Sequence, residues 1–324
     1  MKLAARGWVA LLLFAFSSVG SLLAQSPPPP PSAPDQQYRF SVDVRMVVLQ
    51  ATVLTPKGSF VKGLGQRNFQ VYESDRQQTI RLFRHTDSPV AIGLIVDNSG
   101  SMRRKHAAVV AAAKAFARNS NPRDELFVVN FNEQAKLGLP RTRLFSANSR
   151  ELERALPPTE GGGKTALYDA LELGLAHVHE LRQDKKALIL ISDGGDNAST
   201  HTLEQVISDA TNSDVVIYTI GLFGTYEEET DPAFMKQIAL VSGGEAFFPK
   251  RPGQAATSCK RIAQTIRNVY TIGYSPLDKQ PDGKFRPIQL RVTKPRSPQL
   301  IARTRAGYTP GLDNQLSGGT GDTH

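Results

Sequence analysis

The sequence predicts an α/β protein in which a mostly parallel sheet carries helices on both faces. A small β-rich portion formed by the two flanks is joined to it. Three observations carry this. Between residues 89 and 268, continuous apolar runs alternate with segments of helical periodicity, the pattern of strands buried on both faces and connected by covering helices. On either side, short stretches rich in Val, Ile, Phe and Tyr recur between turn residues with no helix separating them. The chain has 324 residues, 40% hydrophobic and 21% charged, enough for a core and a soluble surface.

Taken in order, Lys2 and Arg6 precede an apolar run from Trp8 to Phe16 that continues through small residues to Ala24. This is the pattern of a secretory signal peptide over residues 1–24, cleaved after Ala24. The apolar core is short for a membrane span, and no cysteine stands at the junction to carry a lipid anchor. An exported protein is expected, placed in the periplasm, in the cell envelope or outside the cell. Residues 25–36 form a Pro-rich linker. Residues 37–88 supply strands at 37–54, 60–61, 64–73 and 78–83.

The α/β region spans 89–268. Strands are expected at 90–96, 124–131, 185–192 and 214–220, with lesser ones at 134–144 and 245–248. Helices are expected at 101–118, 165–181, 202–211, 232–242 and 255–268. Residues 269–308 return to strand at 270–274, 285–292 and 300–304. They are expected to pack with 37–88, so that the α/β domain is inserted between the two strand sets. A flexible, Gly- and Thr-rich tail over 309–324 follows, with fraying from Gly307 onward.

Composition excludes several functions. The one cysteine, Cys259, rules out an intramolecular disulfide or a Cys-rich metal site and is expected to be buried; six scattered histidines do not build a metal centre. The net charge of +9 is unevenly spread: residues 89–249 carry 16 basic and 21 acidic side chains, residues 250–324 carry 13 and 4. Aromatic residues are not interleaved with the basic ones, so no nucleic acid is expected. The basic C-terminal region would suit peripheral contact with an acidic envelope surface.

The chemistry concentrates where apolar strands end. The first buried strand runs into Asp97-Asn98-Ser99-Gly100-Ser101, which places one carboxylate and two hydroxyls at a strand-to-helix turn. By itself this segment reads equally well as a helix N-cap. Thr165, after Gly161-Gly162-Gly163-Lys164, and Asp193, at the end of the third buried strand, fall at the same end of the sheet. Asp97, Ser99, Ser101, Thr165 and Asp193 together make an oxygen-only set suited to Mg²⁺, or to Mn²⁺ or Ca²⁺.

These residues resemble the von Willebrand factor type A (VWA) domain and, more narrowly, the exported bacterial VWFA-related proteins. Asp97-Asn98-Ser99-Gly100-Ser101 is similar to the family's DxSxS signature, and Thr165 and Asp193 fall where the family's threonine and final aspartate stand. The resemblance covers about residues 89–268 and implies a Rossmann-like VWA fold with a metal-ion-dependent adhesion site (MIDAS). It implies that Ser99, Ser101 and Thr165 contact the ion and that Asp97 and Asp193 act directly or through water. The last position is left to water or to a partner's carboxylate. Asn98, Lys164, Asp196 and Asn197 form the candidate ligand rim, with Asp196 and Asn197 also shaping their loop. The resemblance further implies that a shift of the last helix could carry a change outward. The flanks, at 63–73, 270–274 and 303–308, are similar to the narrower family.

The function expected is metal-dependent binding of a protein ligand that offers a carboxylate. The alternatives are an envelope scaffold in which the metal only stabilises, and a metal-dependent hydrolase. Gly163-Lys164-Thr165 does not make a nucleotide loop, because Pro158 stands where the pattern needs glycine. His177 and His179 are two residues apart on one helix and do not share a face. No histidine base stands near Ser99 and the G-x-S-x-G elbow is missing, so no enzyme activity is expected.

Overall fold

The structure, a computed structural model, describes residues 46–156, 162–223, 230–295 and 299–311. Residues 1–45, where a signal peptide, a linker and the start of the first strand are expected, and the tail from 312 lie outside the described residues. Among the described residues no helix is long and apolar enough to cross a membrane.

Four strands precede the α/β unit: β1 (Val47–Leu54), β2 (Phe69–Glu73), β3 (Arg76–Gln78) and β4 (Ile80–Arg84). The unit itself runs β5 (Val90–Asp97), α1 (His106–Asn119), β6 (Glu125–Phe131), β7 (Ala135–Leu137), α2 (Ser149–Ala155) and α3 (Leu167–His179). It continues with β8 (Lys185–Ser192), α4 (Leu203–Asn212), β9 (Val216–Gly221), α5 (Pro232–Ser242), β10 (Ala246–Phe247) and α6 (Ala255–Arg267). Strands β11 (Val269–Tyr274), β12 (Arg286–Val292), β13 (Ile301–Arg303) and β14 (Gly307–Tyr308) close the chain.

The central sheet has the order β10-β9-β8-β5-β6-β7. It is parallel except for β7, which pairs antiparallel with β6. Every residue of β5 is buried, because alternate side chains enter different cores. Val90, Ile92, Leu94 and Val96 pack with α1, α2 and α6, whereas Ala91 and Ile95 pack with α3, α4 and α5. That explains the unbroken apolar run: a strand covered on both faces has no polar side. Cys259, on the inner face of α6, is buried, and burial pushes its thiol up to about 12, so it is a core residue rather than a reactive one.

The two flanks build two further sheets, ordered β13-β1-β11-β4 and β14-β12-β2-β3. Each joins strands from before and after the α/β unit: β1 pairs with β11 and β2 with β12. Val47, Leu49, Ala51 and Val53 alternate inward from β1 onto Tyr270, Ile272, Tyr274, Phe69 and Val71. A buried polar group lies in this core. The Glu73 carboxylate accepts from the hydroxyls of Tyr274 (2.7 Å) and Tyr308 (3.1 Å), and Arg286 lies 3.6 Å away.

Several elements differ from the sequence expectations. Phe60 makes only an isolated bridge to Leu54 instead of a second strand. Gly307 and Tyr308 do not fray but pair with β12, held by the buried Tyr308 ring. Helix α2 was not foreseen. The first turn of the helix expected at 101–118 is 3-10 helix from Gly100 to Lys105, opened by a bond from Met102 N to the Ser99 carbonyl. His177 is fully packed: a ring nitrogen meets the Leu144 carbonyl at 2.9 Å and the ring stands edge-on to Phe127.

Helices α3 and α4 face each other through Glu172 and Asp209. Burial first, and then the Asp209 charge, push the Glu172 carboxyl up to about 7, with His201 opposing. A carboxyl raised above its ordinary value favours folding most at low pH, and that contribution is lost as pH rises through the folded value. The contribution of Glu172 to thermal stability is therefore expected to fall between about pH 4.5 and pH 7 and to stay low above that. Glu172→Gln will flatten this slope in thermal melts.

Candidate metal centre

The chain leaves β5 toward β6 on one side of the sheet and later returns to β8 on the other. Strand order thus reverses between β5 and β8, and such a switch point opens a crevice at the strands' C-terminal ends. Asp97 ends β5 and Ser192 ends β8, so both carry their side chains to this crevice. The loop after Asp97 meets the loop before α3 where Gly100 N approaches the Gly163 carbonyl at 3.5 Å.

Asp97 is buried and both its oxygens are engaged. One accepts from the Ser99 backbone N–H at 2.8 Å, the other from the Ser192 hydroxyl at 2.6 Å. Burial, and next the charge of Asp193, push the Asp97 carboxyl up to about 6, against the pull of the Ser192 and Ser99 hydrogen bonds. Ser99, Thr165 and Asp193 are buried as well, whereas Ser101 is exposed. The Ser99 and Ser101 hydroxyl oxygens lie 3.1 Å apart. The crevice therefore has a dry floor and an open side at Ser101.

Thr165 is held by its backbone. Its N–H donates to Asn197 Oδ1 at 2.8 Å, and its carbonyl accepts from the N–H groups of Asn197 and Ala198. Asp196 Oδ1 accepts from Leu167 N (2.7 Å), Tyr168 N (3.2 Å) and the Ser199 hydroxyl (2.6 Å). It caps α3 from another loop, because Ala166 at the helix start offers no side-chain cap. Asp196 and Asn197, expected at the ligand rim, are therefore turned to positioning Thr165 and α3. Lys164 is exposed, with its N–H 3.5 Å from Glu133 Oε1; the Asn98 N–H donates to the Phe131 carbonyl at 2.7 Å.

Two residues of the site were missed in the sequence. Ser192 donates to Asp97 and accepts from Gly194 N at 3.0 Å, linking the two carboxylate loops. Lys105 is buried, with its ammonium nitrogen 3.4 Å from Asp193 Oδ2. A signal for it existed: Met102, Lys105, Val109, Ala112 and Phe116 are buried at steps of three and four residues, so a lysine interrupts an apolar stripe.

Gly194 sets the direction of the loop after Asp193. Its φ is +90°, and an added Cβ would lie 2.8 Å from the Asp231 carbonyl oxygen at the start of α5. Gly194→Ala is expected to cost about 1–3 kcal/mol of stability through backbone strain alone. Thermal melts of the wild type and the variant check this.

The donor chemistry fits a hard divalent ion. The contacts bring Asp97, Ser99, Ser101, Ser192 and Asp193 together, and each of these side chains offers oxygen, which Mg²⁺ prefers; Thr165 is placed beside them through its backbone. Neighbouring ligands of a Mg²⁺ octahedron lie about 3 Å apart, given bonds of about 2.1 Å; the Ser99 and Ser101 hydroxyls are spaced to match, at 3.1 Å. The raised Asp97 carboxyl marks a place where two buried carboxylates lack full positive compensation. Among the described residues no three His, Cys, Asp or Glu side chains gather to hold an ion, so hydroxyls must complete any coordination here.

Residues 92–195 match the model of the von Willebrand factor type A domain. Over these residues the α/β unit is similar to the von Willebrand factor type A domain, and its layered sheet has the fold that this similarity implies. The chain is also 24% identical over 207 residues to an uncharacterized protein, sll0103, of Synechocystis sp.; the match covers 60% of this chain and 47% of that protein. It therefore spans about half the length of that relative.

Among solved structures, a von Willebrand factor type A protein from Catenulispora acidiphila is 15% identical, with 86% of this chain and 77% of that one covered at a TM-score of 0.49. Proximal thread matrix protein 1 from the mussel byssus, in a form with a zinc-occupied MIDAS motif, is 18% identical. There 55% of this chain and 48% of that one are covered at a TM-score of 0.44.

Proposed function

We propose that this protein recognises a protein partner through a divalent ion, Mg²⁺ in the first instance, held at the β5/β8 crevice, and that it does so after export. The observation that supports this most is the pair of hydroxyls of Ser99 and Ser101, 3.1 Å apart beside two buried carboxylates. Ser99, Ser101 and Thr165 would hold the ion, with Asp97 and Asp193 balancing its charge directly or through water. When bound, the ion supplies an incompletely neutralised positive charge to which a carboxylate of the partner can be drawn. The chain's own part is to orient these oxygens. Ser192 and the Ser99 N–H fix Asp97, and Asn197 and Ala198 fix Thr165. The exposed Ser101 is the side from which a partner approaches. Export is supported by the signal-peptide pattern of residues 1–24.

The test is titration of chelator-treated protein with Mg²⁺ and Mn²⁺, followed by capture of partners from envelope extract with Mg²⁺ or with chelator. Saturable binding of one ion, lost in Ser99→Ala, and capture that requires Mg²⁺ are expected. Capture that proceeds equally in chelator would favour a scaffold in which the metal plays no part in recognition. N-terminal sequencing of the native protein should begin at Gln25.

A further inference from the structure

The feature left unused by this function is the buried lysine. Lys105 lies where the 3-10 turn passes into α1, on the face that carries Met102 and Val109 into the core. Its side chain is 7% exposed and that of Asp193 is 4% exposed, so the ammonium and the carboxylate meet away from solvent. Their separation of 3.4 Å is longer than the roughly 2.7–2.9 Å of a tight charge-assisted bond. The contact is a long, buried, hydrogen-bonded ion pair. It also joins a cation of the chain itself to one of the two carboxylates that would balance a metal ion.

We propose that Lys105 is a tethered cation that competes with the divalent ion for Asp193, and so sets how weakly the site holds metal by itself. This rests on the metal-dependent reading above. The formal charges of Asp97, Asp193 and Lys105 sum to one negative charge. A divalent ion turns that into one net positive charge, so the loaded site still calls for an anion. With a neutral residue at 105 the two carboxylates alone would neutralise the ion, and the call for a carboxylate from outside would be weaker. Charge repulsion in a dry site is strong, so the lysine lowers affinity for the ion while raising the gain from an acidic partner. The two ligands would then bind with positive coupling, each strengthening the other.

The experiment compares the full chain with K105M and K105R. Chelator-treated protein is titrated with Mn²⁺ followed by electron paramagnetic resonance and with Mg²⁺ by calorimetry, and melting temperatures are taken in chelator and in Mg²⁺. K105M is expected to bind both ions about tenfold tighter or better than wild type. Its melting temperature should fall in chelator and recover in Mg²⁺, widening the gap between the two conditions. K105R keeps the charge and should stay within about threefold of wild-type affinity. If K105M does not survive chelator, it is prepared with Mn²⁺ present and its affinity read by competition with a chelator of known strength, with the same expectation. Equal or weaker binding by K105M, or tightening in K105R to the same degree, would overturn the role of Lys105 and leave the metal site standing. No binding in any of the three proteins would overturn the metal reading itself.

Discussion

Asp97→Asn will lose divalent-ion binding by about 100-fold or more, yet in chelator it will be more stable than the wild type at pH 7.5. The Asp97 carboxyl is pushed up to about 6 by burial and then by the nearby charge of Asp193. A folded value above the ordinary 3.8 means that the native state takes up the proton more readily than the unfolded chain. Stability from this group is complete at low pH, declines as pH rises from about 4 to 6, and stays at its low level above that. A shift of about two pH units corresponds to about 3 kcal/mol. The amide removes the cost of the buried charge and can still accept the Ser99 N–H. Chemical denaturation in chelator at pH 5 and pH 7.5 checks this: the wild type should weaken toward the higher pH and the variant should show a smaller change. A variant that is less stable than wild type at both values would show that the carboxylate is compensated after all.

Arg286→Met will destabilise the flanking β structure by about 3–5 kcal/mol, the usual cost of leaving one member of a buried pair without its partner. Both Arg286 and Glu73 are buried. The guanidinium lies 3.6 Å from Glu73 Oε1, donates to the Gln280 carbonyl at 2.6 Å, and also donates to the Asp278 carbonyl. Glu73 in turn receives the hydroxyls of Tyr274 and Tyr308. The group therefore ties β2, β11, β12 and β14 together. Hydrogen exchange should show protection lost first in these strands. In the double variant E73Q/R286M the pair's buried charges are both gone and the tyrosines keep an acceptor, while Asp278 and Asp282, which also lie 3.5 Å from the guanidinium, face solvent; at least half of the lost stability should return.

The strands that place the site are the ones whose residues state their position most directly. Strands β5 and β8 are buried on both faces, so burial alone writes them as apolar runs, and the oxygen-bearing residues at their ends are visible by contrast. Helix α2 was hidden because only Leu152 and Ala155 of its seven residues are buried, too few to set a period; its Asn148 cap was the available sign. The tertiary roles of Asp196 and Asn197 were not visible, since the groups they bond, Leu167 N and Thr165 N, lie about thirty residues earlier. Asx side chains near a metal-type motif read as rim when nothing shows which helix needs a cap. Lys105 was overlooked for the opposite reason. Basic residues are common on helix surfaces, and only the buried neighbours at 102, 109 and 112 disclose that this one faces inward.

The pairing of the flanks also bears on the order in which the molecule can be assembled. Gln50 of β1 meets Thr271 of β11 across 221 positions of sequence, and β2 waits in the same way for β12. A chain made from its N-terminus presents β1 and β2 long before their partners exist, whereas the α/β unit closes over much nearer neighbours. The α/β unit can thus take shape as a body while its base is still open, and the last strands to emerge act as the clasp. Truncation before Tyr308 would leave that clasp unfastened without touching a single residue of the β5/β8 crevice.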